Sequence, residues 1–196
     1  MNITNGELRE LIGLVRGRAT TPGHATTLAP SESRPFRSLS EEDIGRAEAQ
    51  LGFMLPAIVR HLFVEVGNGG FGPGYGILPL VATDDVPQGR FITEMYQRFC
   101  AADARGGKKW SRVALPFNSW GSGILSVLAL TEGLQDADPE VYRFEPNMPE
   151  AWTSNYLKGY PHIGTGLIPE QRSLSQWLRE WLDGRAAEMF QRMNQI

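Results

Sequence analysis

The sequence predicts an α+β domain built on a central, mostly antiparallel sheet flanked by helices. Three observations lead there. Apolar residues recur at helical spacing as far as Val66, short β-branched and aromatic runs fill the middle of the chain between Val113 and Phe144, and an amphipathic helix begins at Ser173. Helices first, strands next and a helix last is the order of an α+β fold; a parallel βαβ sheet alternates the two.

Taken in order, Leu8, Leu11, Ile12 and Val15 fall at i, i+3, i+4 and i+7 within Glu7 to Arg16, with Asn5 placed to cap that helix. Gly17 to Arg37 is rich in Thr, Pro, Ser and Gly and has too little apolar surface to offset its ordering entropy, so it reads as a loose linker. Residues 1–37 are therefore expected to be an appended arm, and 38–196 the folded domain. Ser38 with Glu41 and Ser40 with Asp43 are alternative caps for a helix whose apolar face is Ile44, Ala47 and Leu51, stopped at Gly52. Pro56 suits the start of a second helix, with Ile58, Leu62, Phe63 and Val66 as its buried stripe. Gly67 ends it, and Asn68-Gly69-Gly70 supplies residues that tolerate positive φ.

Tyr75 to Val81 reads as a strand, with Pro79 favouring an edge or an end, and Phe91 to Ala102 as a helix through Ile92, Met95, Tyr96 and Phe99. Val113 to Leu115, Gly123 to Leu130 and Val141 to Phe144 are strands; Ile124 to Leu130 is apolar at consecutive positions, as an interior strand covered on both faces would be. Ser173 and Gln176 have capping-box spacing ahead of Leu174, Trp177, Leu178, Trp181 and Leu182, Gly184 closes the helix, and Ala186 to Met193 extends as a tail helix.

The chain has 196 residues, 41% apolar and 21% charged, which suits a globular domain rather than a disordered one. A formal net charge of −3 gives no global attraction to nucleic acid or an anionic membrane. Cys100 is the single cysteine, so no intramolecular disulfide forms and a reducing compartment fits. The N-terminus lacks a basic segment followed by an apolar run, and no stretch is long enough to span a bilayer, so a cytoplasmic protein is expected.

Catalytic patterns fail on their spacing or context. Gly67 to Gly72 formally matches G-x-G-x-x-G, but it follows a helix and runs into Pro73-Gly74, where a dinucleotide site needs a strand before and a helix after. His24, His61 and His162 have no metal-binding spacing, and no G-x-S-x-G elbow occurs; a hydrolase assembled from a histidine and a distant Ser or Asp is the enzymatic alternative. Asp136 to Glu140 begins like a calcium loop, yet its sixth position is Val141 and its twelfth Asn147, so it reads as a solvated turn. Arg98, Arg105, Lys108, Lys109 and Arg112 surround Trp110, a pattern that suits nucleic acid or an exposed loop. Between Ser40 and Met95 eight acids face only Arg46, Arg60 and Arg90, an excess that fits a basic partner or a solvated helix face. Trp177 and Trp181 read as core, and Trp120 as core or contact surface. Asp84, Asp85, Trp120 and Ser122 are picked as partner contacts, with no catalytic, cofactor-binding or metal-ligating residue.

The joint order of these pieces resembles the SMI1/KNR4 (SUKH) family. The likeness is carried by Ile44, Ala47-Glu48, Leu51-Gly52, Leu55-Pro56, Leu62-Phe63 and Gly67-Asn68-Gly69-Gly70 leading to Gly72-Pro73-Gly74-Tyr75-Gly76. It continues through Leu115-Pro116 to Trp120-Gly121-Ser122-Gly123, Val141 to Asn147, and Ser173 to Gly184. The resemblance covers about Ser38 to Gly184; Met1 to Arg37 and Phe91 to Lys109 are not clearly matched. It implies an α+β domain without catalysis or cofactor, often an immunity protein that neutralises a polymorphic toxin, frequently a nuclease, by direct binding. A regulatory protein-interaction module without a toxin partner is the alternative it also implies.

Overall fold

A computed structural model describes residues 3–29, 31, 33–86, 91–106, 114–130, 137–145 and 167–194, the side chains of 102–106, 190 and 192–194 excepted. The fold is α+β. Helices α1 (Asn5–Thr20), α2 (Glu41–Leu51) and α3 (Ala57–His61, continued by a π-helical turn over Leu62–Val66) precede the short strand β1 (Gly76–Ile77). Helix α4 (Ile92–Gly106) follows, then β2 (Ala114–Gly121), β3 (Ile124–Ala129), β4 (Glu140–Phe144) and β5 (Leu167–Ser173), and finally α5 (Leu174–Leu182) and α6 (Ala186–Asn194). The five strands form one antiparallel sheet in the order β1-β2-β3-β4-β5, each beside its neighbour in sequence.

The sheet buries both faces, which is why β3 is apolar at successive positions. Leu115, Phe117, Leu128 and Val141 join the main core, where the Phe117 ring meets Trp177 at 6.2 Å between centroids. Alternate residues Leu125, Val127 and Tyr142 form a second cluster with Met95 of α4.

Helix α1 is not an appended arm. Leu8, Leu11, Ile12, Val15 and Ala19 are buried in the main core with Trp177 and Trp181. Arg18 adds a polar clasp: its guanidinium lies 4.9 Å from the Trp181 ring centroid and donates to the Leu182 carbonyl at 2.9 Å, satisfying a carbonyl at the C-terminus of α5. The cap of α1 is Thr4 rather than Asn5, because Thr4 accepts the Glu7 amide at 3.3 Å while the Glu7 carboxylate accepts the Thr4 amide at 3.0 Å. Ser40 caps α2 in the same reciprocal way with Asp43, and Ser173 caps α5 with Gln176.

The described parts of the linker are not loose either. Gly72 donates to the Ala25 carbonyl, Thr27 and Leu28 donate to the Gly74 carbonyl, Phe36 to Gly69 and Leu39 to Phe63, so residues 25–28 and 36–39 run hydrogen-bonded along the glycine-rich corner. Its cohesion comes from main-chain pairing, which composition does not reveal. The strand expected from Tyr75 to Val81 is only Gly76–Ile77. Pro79 has no amide to donate, and the Leu80 amide is taken by the Asn68 side chain. Strand β5, with Pro169 and the polar run Glu170-Gln171-Arg172, has no clear sequence signature; it exists by pairing with β4.

Leu11 is fully buried between helices, so Leu11→Ala is expected to lower unfolding free energy by about 2–5 kcal/mol. Urea denaturation measures it; a change near zero would mean that α1 does not pack as described.

Candidate partner-binding surface

The glycine-rich corner, 67–76, organises the molecule's candidate contact surface. Its residues are glycines because main chain passes main chain there at contact distance. A Cβ on Gly69 would sit 2.6 Å from the Ile77 carbonyl oxygen, and one on Gly70 would sit 2.5 Å from that of Arg34; both residues also have positive φ, at 85° and 79°. The amides of Gly67, Asn68, Gly69, Gly70 and Gly72 donate to the carbonyls of Leu62, Arg37, Gly67, Ile77 and Ala25. A phosphate cradle needs such amides turned toward a ligand; here they point into the fold.

Asn68 is more than a turn residue. Fully buried, its side chain accepts the Leu80 amide at 2.8 Å and donates to the Val81 carbonyl at 2.7 Å, latching the 80–83 segment to the corner. Sequence reading missed this role, since Asn in a glycine run signals a turn first.

The four picked contact residues divide into two places. Trp120 is only 4% exposed and its indole N–H donates to the Ser126 hydroxyl at 2.8 Å, so it is a core residue and not a contact. Ser122 is exposed at the tip of the β2–β3 hairpin, in the left-handed region at φ 51°. The aromatic that this corner presents outward is Tyr75, 54% exposed, with its ring against Gly121 and its amide donating to the Ser119 carbonyl at 2.9 Å. An exposed aromatic already held in place makes a contact at little entropic cost. Asp84 and Asp85 are both exposed; the Asp85 carboxylate accepts the Arg37 amide at 2.7 Å and the Thr83 hydroxyl at 2.7 Å. The Arg37 amide, with help from Thr83, holds the Asp85 carboxyl below the ordinary carboxylate range.

Next to this acidic pair lies a cleft of about 580 Å³. Helix α2 contributes Asp43, Arg46 and Gln50, the latched segment contributes Val81 and Ala82, and α4 contributes Phe91, Thr93, Glu94 and Gln97. Arg37 links Asp85 to Asp43: its amide donates to the Asp85 carboxylate, and its guanidinium lies 3.9 Å from the Asp43 carboxylate. Asp43 is ionised down to about pH 2: the Ser40 amide is the largest cause, the Ser40 hydroxyl the next, and Arg46 at 2.5 Å the third.

The other candidates are placed differently. His61 Nδ1 is 2.6 Å from a Glu65 oxygen, but the pair sits one turn apart on a helix at 41% and 36% side-chain exposure, outside the cleft. His24 is exposed, and His162 lies outside the described residues. Asp138 is not part of a solvated turn: it is buried and accepts the amide and hydroxyl of Ser175 at the start of α5, while Asp136 lies outside the described residues. Arg98 is exposed on α4, and Lys108, Lys109, Trp110 and Arg112 lie outside the described residues. Among the described residues, no three His, Cys, Asp or Glu side chains are grouped to hold a metal ion, and no helix is long and apolar enough to cross a membrane. No protein-family model matches the chain, and no curated protein matches it.

Two substitutions test this local architecture. Asn68→Ala leaves the Leu80 amide and Val81 carbonyl without their partner and is expected to cost about 1–3 kcal/mol, with faster hydrogen exchange at Leu80; unchanged exchange would dispose of the latch. Asp43 has a folded pKa of about 2 against an ordinary 3.8, so its stabilisation is fully present above the ordinary value and is lost as pH falls through about 2. Asp43→Asn should therefore cost about 1 kcal/mol at neutral pH, and urea midpoints of the two proteins should converge as the pH approaches about 2.

Proposed function

We propose that this chain is a non-enzymatic protein-binding domain, an immunity-type protein that neutralises a cognate toxin in the cytoplasm by direct contact. The observation that carries the reading is the use made of the glycine-rich corner, whose amides and glycines are consumed in packing main chain against main chain. What faces outward beside it is a fixed tyrosine and a set of carboxylates, groups suited to recognition by shape and charge. The ordered resemblance to SMI1/KNR4 proteins supports the same reading. So does the sign of the surface, since an enzyme that grips nucleic acid presents cations to phosphate, and carboxylates complement them.

A regulatory interaction module without a toxin partner would use the same surface; a secreted multidomain toxin encoded beside this chain separates the two. Co-expression with that neighbour's toxin domain is expected to restore growth and give a complex that co-elutes in size-exclusion chromatography. Neither rescue nor complex would reject the immunity role.

A further inference from the structure

We propose that the cleft between α2 and α4 receives a lysine or arginine side chain from the protein partner, which makes it the specificity pocket of the contact surface. This rests on the protein-binding reading and names the chemistry the surface takes.

The first argument is shape and lining. About 580 Å³ is ample for a long side chain with its flanking main chain. Phe91 and Val81 give the cleft apolar surface against which the methylene stem of lysine or arginine can lie. Gln50 and Gln97 add amide groups, and the Gln97 side chain, donating to the Gln50 carbonyl at 3.2 Å, ties the two walls together.

Charge is the second argument. Glu94 is exposed in the first turn of α4, and it has no cationic partner among the described residues. Arg46 does not make the cleft cationic, because it is already engaged by Asp43 at 2.5 Å and lies 3.9 Å from Glu42. Arg37 is likewise turned toward Asp43. Among the described residues the charged side chains lining the cleft are Asp43, Arg46 and Glu94, and Asp43 and Arg46 already pair with each other, so a cation entering beside Glu94 gains attraction without breaking an existing pair. An anionic group would meet Glu94 unpaired, and a wholly apolar segment would desolvate it without compensation.

The test uses the whole chain and two small probes, N-acetyl-arginine amide and the neutral N-acetyl-norleucine amide, followed by amide chemical shifts. The arginine probe is expected to give saturable shifts at residues 43–50, 81–82 and 91–97, weakened about tenfold between about 50 and about 500 mM NaCl and abolished by Glu94→Gln. The norleucine probe should leave these amides unmoved. No shifts, shifts scattered over the acidic surface, or shifts that persist in Glu94→Gln would overturn the assignment. Glu94 is exposed, so the variant should keep a dispersed spectrum, and that spectrum is the control for folding. With a partner in hand, Glu94→Lys should weaken the complex about tenfold. A complex of unchanged affinity would refute the cleft while leaving protein binding intact; absence of any complex would refute the partner reading, and the arginine titration would still decide the cleft.

Discussion

Main chain meeting main chain at the glycine-rich corner is the constraint on which the rest of this molecule depends. Separate stretches, 25–28 with 36–39, 67–77 and 117–121, come within hydrogen-bonding distance there, and side chains at Gly67, Gly70 or Gly74 would collide with carbonyls of other segments. The corner consequently joins the N-terminal segment, the end of the α3 π-helical turn and the edge of the sheet into one unit. Asn68 extends that unit to residues 80–83 with its side chain, and α4 starts from the same place, with Ile92 and Thr93 donating to the carbonyls of Pro79 and Leu80.

This arrangement explains why the surface beside the corner is suited to recognition. The cleft walls are a capped helix, a latched segment and the first turn of another helix, each fixed by hydrogen bonds that do not involve a ligand. A surface already held in its binding shape loses little conformational entropy on association, so more of the contact energy appears as affinity. Tyr75 is held by the same logic at the hairpin tip. In the proposed interaction charge selects the partner, through carboxylates that have little internal use, such as Glu94, set beside ones that are structural, such as Asp43.

Local chemistry made much of this legible. The capping residues Ser40 and Ser173, the apolar stripes of α2, α3 and α5, the double-faced strand β3 and the core positions of Trp177 and Trp181 all follow from spacing, because the partners they need lie within a turn or along one strand. The candidate surface was only half legible. The acidic excess and Asp84-Asp85 stood out as charge, whereas Trp120, read as core or contact surface, was picked as a contact and Tyr75 passed over, since a tryptophan and a tyrosine beside glycines look alike until it is known which one finds a buried hydroxyl.

The sequence by itself determined most of the helices, the Ser173 cap, the α+β class and the sign of the charge between Ser40 and Met95, all properties set by neighbours in the chain. Only tertiary structure decided that α1 belongs to the core, that residues 25–28 and 36–39 are bound to the corner, that Asn68 is a latch and that Asp43, Phe91 and Glu94 share one cleft. Each of those depends on contacts between residues far apart in sequence, where the energy resides in pairing and burial that no local pattern of residue types encodes.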